Sequence, residues 1–124
     1  MIKNIPVGLA HVAVPTDNAA ATREFYHNIG FEDLVNQDVR GMLKLGSCVI
    51  EYYPRRGDEL PMGAVSHVAL ECPDLDAAYE EIKAMGVTFV TNGIESNQMF
   101  APRTNRFFLF LGPNGERIEF CHVD

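Results

Sequence analysis

Two histidines and two glutamates interrupt segments of the chain that are otherwise mostly apolar. They are His11 in LAHVAV, Glu51 in CVIEYY, His67 in VSHVAL and Glu119 in ERIEFC. A carboxylate in an apolar strand is costly to bury unless it is paired or bound to a cation. Two imidazoles and two carboxylates form a neutral set around one divalent cation, and imidazole favours Zn, Ni, Co, Fe or Mn over Mg and Ca. A set with carboxylates and no thiolates is typical of a catalytic metal with positions open to water or substrate.

The four residues form two pairs because the sequence repeats itself. Residues 9–14 and 65–70 both carry His, Val and Ala at their third, fourth and fifth positions, and Glu51 and Glu119 stand in the matching segments IEY and IEF. A single His or Glu in a strand is more often a hydrogen-bonded or edge-exposed residue than a metal ligand. That explanation does not account for two pairs at equivalent positions, which favour one shared metal site.

Each copy is predicted to contain a strand, a helix and then three strands. Helix one should begin at Thr16 or Asp17 and end near Gly30, and helix two should begin at Asp74 and end at Gly86. The predicted buried faces consist of Ala21, Phe25 and Ile29 on helix one, and of Leu75, Ala78, Tyr79, Ile82 and Met85 on helix two. The predicted strands are residues 7–14, 31–38, 39–45 and 48–53 in the first copy, and 65–70, 88–91, 106–111 and 116–121 in the second.

Alternation of side chains along the strands assigns the two histidines and two glutamates to one face. The amphipathic helices must cover the more uniformly apolar face, so the four polar residues are predicted to share the opposite, concave face. The second copy is longer than the first, and its extra length should form a loop within residues 91–106. The segment GPNG at residues 112–115 predicts a hairpin turn between the last two strands.

Composition excludes several classes of function. The chain has 124 residues, 47% of them hydrophobic, with a net charge of −7 and a pI near 5.0, which argues against a nucleic-acid surface and against an anionic membrane. No stretch approaches the roughly 18 apolar residues of a membrane helix, and the N-terminus has no signal-peptide core. The three cysteines contain no Cys-x-x-Cys pair, so free thiols in a reducing cytoplasm are expected.

At these residues the chain resembles the vicinal oxygen chelate superfamily, which includes glyoxalase I, methylmalonyl-CoA epimerase, extradiol dioxygenases, fosfomycin-resistance enzymes and bleomycin-binding proteins. The resemblance covers nearly the whole chain, and its matching pieces are LAHVAV, FY…GF at residues 25–31, SHVA at residues 66–69 and GPNGERIEF at residues 112–120. It implies an α+β fold in which two βαβββ repeats, about residues 5–54 and 63–124, form a half-open mixed β-barrel with helices on the outer face. One domain spanning residues 1–124 is expected.

The resemblance also implies a site and a reaction. His11, Glu51, His67 and Glu119 would hold one divalent metal ion (Zn, Ni, Co, Mn or Fe), as in bacterial-type glyoxalase I. The implied activity is that of a metal-dependent lyase or isomerase acting on a small vicinal-oxygen substrate through an enediolate or alkoxide. Glu119 is preferred as the base and Glu51 as a ligand, although both count as catalytic candidates. Pro15 stands where glyoxalase I often carries an arginine that contacts glutathione, so another substrate is equally compatible.

The sequence leaves two alternative functions open, and it also predicts the class of substrate and the oligomeric state. The alternatives are a small-molecule binding or resistance protein of the fosfomycin or bleomycin type, and an Fe(II) extradiol dioxygenase. The substrate is expected to be a small anionic molecule, because the extra loop and the last strand supply Phe100, Arg103, Arg106 and Arg117, and Arg55 and Arg56 follow Glu51. Open sheet edges in each half require pairing, and a cytoplasmic homodimer is expected, with its site within one chain or across the interface.

Overall fold

The structure is a computed structural model that describes residues 1, 3–4, 7–57, 59, 63 and 65–124. The chain divides into two compact units, Met1–Glu59 and Leu60–Asp124. Residue 5, the predicted start of the first repeat, lies outside the described residues. The elements in chain order are β1 (Val12–Thr16), α1 (Ala19–Asn28), β2 (Glu32–Asn36), β3 (Gly41–Leu45), β4 (Cys48–Pro54), β5 (Val68–Glu71), α2 (Leu75–Ala84), β6 (Glu95–Asn97), β7 (Asn105–Leu111) and β8 (Arg117–Val123).

Unit 1 is a four-stranded mixed sheet with one helix packed on it. The strand order is β1-β4-β3-β2, in which β1 runs parallel to β4 and the other neighbours are antiparallel. The core lies between α1 and the sheet, where Tyr26, Leu43, Ile50 and Tyr52 are each no more than 3% exposed. One face of β4 is therefore buried through Ile50 and Tyr52, and the opposite face carries Glu51.

Unit 2 repeats this arrangement. Its strand order is β5-β8-β7-β6, with β5 parallel to β8, and α2 packs against β7 and β8. An aromatic cluster fills its core, since the Tyr79 ring lies 5.3 Å from the Phe108 ring and the Phe110 ring lies 5.2 Å from the Phe120 ring. The predicted α+β class with two βαβββ repeats is confirmed, and neither sheet closes on itself.

The predicted first strands, residues 7–14 and 65–70, begin too early. β1 starts at Val12 and β5 at Val68, so His11 and His67 each lie one residue before a strand. In parallel pairing Val12 faces Ile50 and Val68 faces Ile118, and β4 and β8 themselves begin only at residues 48 and 117. Residues ahead of the histidines therefore have few partner-strand residues with which to form backbone hydrogen bonds.

The start and the buried face of helix one were predicted incorrectly. Its N-cap is Asn18, whose side chain accepts a hydrogen bond from the Ala21 N–H at 3.0 Å. Thr16 instead ends β1, and its hydroxyl lies 2.8 Å from that of Thr22. This contact buries Thr22, together with Tyr26, in place of the predicted face of Ala21, Phe25 and Ile29. The predicted end near Gly30 is confirmed by a φ of 103° at that residue.

Helix two agrees better with prediction. Asp74 caps it by accepting a hydrogen bond from the Ala77 N–H at 3.2 Å, and Gly86 follows it with a φ of 75°. Leu75, Ala78 and Ile82 are buried as predicted, whereas Met85 is 37% exposed because it is the C-cap and lies beyond the last helical turn. Neither ten-residue helix in the described ranges has the length and apolar character needed to cross a bilayer.

The predicted strand at residues 88–91 forms only an isolated bridge, between Phe89 and Phe110. The Thr91 hydroxyl accepts the Leu109 N–H at 3.0 Å, which replaces a regular ladder bond. The edge strand is β6, which lies inside the segment predicted as a loop and pairs with β7. The predicted hairpin at residues 112–115 is confirmed between β7 and β8.

Candidate functional site

The first His–Glu pair lies in unit 1, on the face of the sheet opposite the buried Ile50 and Tyr52. Ala13 of β1 is the cross-strand partner of Glu51 of β4. His11 lies two residues before Ala13, and its Nε2 approaches Glu51 Oε2 to 3.4 Å. The methyl side chain of Ala13 leaves room beside the carboxylate for the imidazole. Both groups remain accessible, with exposed fractions of 40% for His11 and 33% for Glu51.

The second pair lies in unit 2 and is built in the same way. Ala69 of β5 is the cross-strand partner of Glu119 of β8, and His67 lies two residues before Ala69. His67 Nε2 lies 3.0 Å from Glu119 Oε2, and the Ser66 hydroxyl lies 3.1 Å from the other ring nitrogen. The Glu119 side chain is only 11% exposed, so this carboxylate depends on a partner more than Glu51 does.

The predicted ligands are therefore brought together two by two, one pair in each unit. In neither unit does a third His, Cys, Asp or Glu among the described residues complete a group that could hold a metal ion. Donor atoms that bind one ion at about 2.0–2.2 Å lie roughly 3 Å apart. The separations of 3.4 and 3.0 Å fit two donors of the same ion in each pair. Nitrogen and carboxylate donors also fit the class of metal predicted from the sequence.

A cysteine close to the second pair does not add a thiolate to it. Cys121 lies two residues after Glu119 in β8. Burial raises the pKa of the Cys121 thiol, and the negative charge of Glu119 raises this pKa further. This shift favours the neutral thiol, whereas the form of cysteine that binds a metal ion is the thiolate.

Two of the predicted substrate-binding arginines have protein partners. Arg106 donates two hydrogen bonds to the Asp76 carboxylate, at 3.2 and 2.9 Å, and Arg103 donates from Nε to the backbone oxygen of Asp124 at 3.0 Å. Leu109 is the cross-strand partner of Glu119, so Arg106, three residues away in β7, belongs to the other face of the sheet. The structure does not bring Arg106 to Glu119.

The other two predicted residues are open to solvent. Phe100 is 55% exposed in the segment between β6 and β7. Arg117 is exposed and lies two residues from Glu119 in β8, so these two side chains share a face. Of the four predicted substrate-binding residues, Arg117 is the one that lies in the same strand as a predicted metal ligand, Glu119. The substrate role of all four residues stays a prediction.

A cavity of about 370 Å³ lies on the Glu51 face of unit 1, and one of its arginines was missed in the sequence. Its lining includes Gln37, Arg40, Met42, Glu51, Tyr53 and Arg56. Met42 is the cross-strand partner of Glu51. Arg40 lies two residues before Met42, so strand alternation counted back from Met42 would have assigned Arg40 to this face.

A separate charged cluster lies on the helix side of unit 1. Arg23 and His27 of α1 both contact the Asp33 carboxylate, with His27 Nε2 2.9 Å from Asp33 Oδ1. Hydrogen bonds from Arg23 and then from His27 lower the pKa of Asp33 to about 2. This cluster joins the helix to β2. The Asp33 carboxylate is paired with Arg23 and His27, so the cluster needs no bound ligand to balance its charge.

Comparison with known proteins agrees with this architecture. The chain is similar to a solved glyoxalase family protein from Enterococcus faecalis, with 23% identity, a TM-score of 0.68 and coverage of 94% of this chain and 98% of that one. It is also similar to a glyoxalase/bleomycin resistance protein/dioxygenase from Alicyclobacillus acidocaldarius, with 19% identity, a TM-score of 0.70 and coverage of 98% and 95%. At these identities the likeness shows the fold alone.

Sequence comparison identifies the family. The chain is 36% identical over 72 residues to the Bacillus subtilis (strain 168) protein described as uncharacterized protein YwbC. That match covers 57% of this chain and about half, 54%, of the relative's length. The family model for glyoxalase, bleomycin resistance protein and dioxygenase matches residues 8–120. The chain therefore belongs to the glyoxalase/bleomycin resistance protein/dioxygenase superfamily.

Proposed function

We propose that this protein is a metal-dependent lyase or isomerase of the glyoxalase type that acts on a small substrate with two adjacent oxygens. The observation that carries the proposal is the duplicated His–Glu contact, at 3.4 Å between His11 and Glu51 and at 3.0 Å between His67 and Glu119. Each unit supplies one imidazole and one carboxylate at equivalent positions. The proposal joins both pairs as the ligands of one divalent cation.

The bound cation would polarise a substrate carbonyl and stabilise the negative charge that develops on its oxygen. The protein's own part is to orient the ligands and to move a proton. Each imidazole and carboxylate contact each other through Nε2 and Oε2, so the two donors of each pair lie at the separation that suits a single ion. A carboxylate oxygen that is freed from this contact can accept a proton from the carbon next to the carbonyl.

The difference in exposure between the two carboxylates supports Glu51 as the proton acceptor. The Glu51 side chain is 33% exposed and lines the cavity in unit 1, whereas the Glu119 side chain is 11% exposed. A base must come within hydrogen-bond reach of the proton that it removes, which favours the accessible group. The proposal therefore reverses the preference for Glu119 drawn from the sequence and keeps Glu119 as a ligand.

The test begins with the metal content of the purified protein. After removal of metal with EDTA, calorimetric titration with Zn²⁺, Ni²⁺, Co²⁺, Mn²⁺ and anaerobic Fe²⁺ should give one bound ion per chain, since the two His–Glu pairs are proposed to share a single ion. Glu51→Gln and Glu119→Gln should each weaken metal binding by at least about tenfold, since each removes a charged ligand. Turnover of the hemithioacetal of methylglyoxal and glutathione, and of glutathione-free 2-hydroxy ketones, then measures the reaction.

A matched control exists in unit 2. His122 Nδ1 lies 2.6 Å from Glu71 Oε1, which forms another His–Glu pair outside the proposed site. Glu71→Gln also removes the carboxylate partner of an imidazole, so it matches the two test variants. It should leave metal affinity unchanged, because Glu71 is not a proposed ligand. Purified protein that binds none of the five ions would overturn the metal proposal and favour the small-molecule binding alternative. Equal metal affinity in Glu51→Gln, Glu71→Gln and Glu119→Gln would overturn the assignment of the ligands.

Association into a homodimer is part of the proposal, because in the described part of the chain each four-stranded sheet has edge strands with one unpaired side. Sedimentation of the metal-loaded and EDTA-treated protein tests it. A monomer in both states would contradict this part of the proposal.

A further inference from the structure

The cavity beside Glu51 has the side chains of an anion-binding site. It lies on one face of the unit 1 sheet, and Met42 and Glu51 stand opposite each other on β3 and β4. Two arginines, Arg40 and Arg56, line the same cavity, together with the polar Gln37 and the aromatic Tyr53. A volume of about 370 Å³ is within the range of small-molecule sites.

Within the described residues, the two cavity arginines differ from Arg23 and Arg55 in having no carboxylate within ion-pair distance. Arg23 pairs with Asp33, and Arg55 pairs with Asp17 at 3.2 Å. Among the described residues, Arg40 and Arg56 form no ion pair within 4 Å. Both are exposed, so their five N–H donors each remain available to a bound group.

Local contacts hold Arg56 in place without neutralising it. Its guanidinium carbon lies 4.8 Å from the centre of the Tyr53 ring, a cation–π contact. The nearby Glu59 carboxylate accepts hydrogen bonds from the Tyr53 hydroxyl and from the backbone N–H of Arg56, the latter at 2.9 Å. The Tyr53 hydrogen bond lowers the pKa of Glu59, and the charges of Arg56 and Arg55 also lower this pKa, but in the part of the chain that the structure describes the Arg56 guanidinium forms no ion pair within 4 Å.

The apolar lining limits what the anion can be attached to. Met42 and the Tyr53 ring line the cavity together with Val35, and these side chains favour contact with carbon rather than with a fully hydrated ion. Glu51 also lines the cavity and contributes a negative charge, which disfavours a second anionic group beside it. The lining therefore fits one anionic end and one uncharged end.

We infer that this cavity binds a small carboxylate with a short apolar body, and that Arg40 and Arg56 hold its carboxylate group. Arg–carboxylate pairs are directional and charge-assisted, and a planar carboxylate matches the planar guanidinium. The uncharged end of the molecule would then face Glu51. Identification of this carboxylate as the substrate rests on the proposed function, whereas its binding does not require the metal ion.

The experiment uses benzoate and its neutral isostere benzamide as probes of ¹⁵N-labelled protein in buffer with EDTA. Benzoate should shift the amide signals of residues 40–42 and 51–56, and benzamide should bind at least about tenfold more weakly. Arg40→Gln and Arg56→Gln should each raise the Kd for benzoate about tenfold, the range of a charge-assisted hydrogen bond. Lys44→Gln is the matched control, because Lys44 is an exposed cation of β3 that does not line the cavity.

The outcomes separate this inference from the metal proposal. Equal binding of benzoate and benzamide, or an unchanged Kd in Arg40→Gln and Arg56→Gln, would overturn the carboxylate site even if the protein binds metal with one ion per chain. If Lys44→Gln raised the Kd for benzoate as much as Arg40→Gln does, the effect would come from net charge alone. That result would also overturn the carboxylate site. Benzoate binding with no metal affinity would support the site and leave only the metal proposal refuted.

Discussion

The hydroxyl of Tyr52 provides a sharp test of the packing in unit 1. Tyr52 is fully buried in β4, and its hydroxyl has no hydrogen-bond partner among the described residues. A buried hydroxyl that loses water and gains no partner costs about 1–3 kcal/mol. Tyr52→Phe removes this cost and keeps the ring that fills the core. We expect Tyr52→Phe to raise the free energy of unfolding by about 1 kcal/mol, or the Tm by roughly 3–5 °C for a chain of this size.

The same substitution should change how stability depends on pH. Burial raises the pKa of Tyr52, so the folded protein holds this proton more tightly than the unfolded chain does. A raised folded-state pKa contributes stability that is fully present below the unfolded pKa of about 10 and is lost as pH rises through the folded pKa. Phenylalanine cannot ionise, so the advantage of Tyr52→Phe should widen above pH 10.

Urea denaturation at pH 7 and at pH 10.5, followed by circular dichroism, measures both effects. Tyr79→Phe is the control, because the Tyr79 ring packs 5.0 Å from Phe89 in a similar aromatic setting but the residue is only half-buried. Its stability should change by less than about 0.5 kcal/mol. A loss of 1 kcal/mol or more in Tyr52→Phe at pH 7 would mean that the hydroxyl has a partner, and the reasoning would be wrong.

Further predictions concern three other positions in unit 1. Gly41→Ala should destabilise the protein by about 1–3 kcal/mol in urea denaturation, because a β-carbon there would overlap the Val35 carbonyl oxygen; an unchanged midpoint would contradict this packing. Asn18→Ala removes the N-cap of α1 and should cost about 1 kcal/mol in a thermal melt, whereas Asn18→Asp should retain most of it. The Asp33 carboxyl, held by Arg23, should titrate near pH 2 by ¹³C NMR, and its contribution to stability should be present above pH 4 and be lost as pH falls toward 2; a midpoint near 4 would refute the contact.

The repeat made most of the fold predictable. Matching segments in the two halves predict both helices and both sheets. They also predict the antiparallel strands within each sheet and the parallel pairing that a βαβββ unit implies. The starts of β1 and β5 were less predictable. Apolar residues extend ahead of His11 and His67, but the parallel partner strands β4 and β8 do not extend far enough to pair with them. An apolar run reports a tendency to be buried, and it does not report where a neighbouring strand begins.

The buried face of α1 was wrong for a different reason. Apolar periodicity favoured Ala21 and Phe25, but the helix turns Thr22 and Tyr26 toward the sheet. The Thr22 hydroxyl donates to the Asn18 carbonyl at 3.0 Å and lies 2.8 Å from the Thr16 hydroxyl, so this buried polar group has one of its two partners in β1. A pattern of hydrophobic residues within one element cannot reveal a hydrogen bond to another element, and this limits any prediction based on periodicity alone.

Duplication also explains which functional residues could be found in the sequence. The proposed metal ligands occupy equivalent positions in the two copies, so each histidine and glutamate is emphasised by its counterpart. Arg40 lies in the turn at residues 37–40 between β2 and β3, whereas the corresponding connection in unit 2 covers residues 98–104. A residue in a connection of unequal length has no counterpart, and no repeat draws attention to it. If the proposed roles hold, the reaction chemistry resides in the duplicated strands and the choice of substrate resides in the connections where the two copies differ.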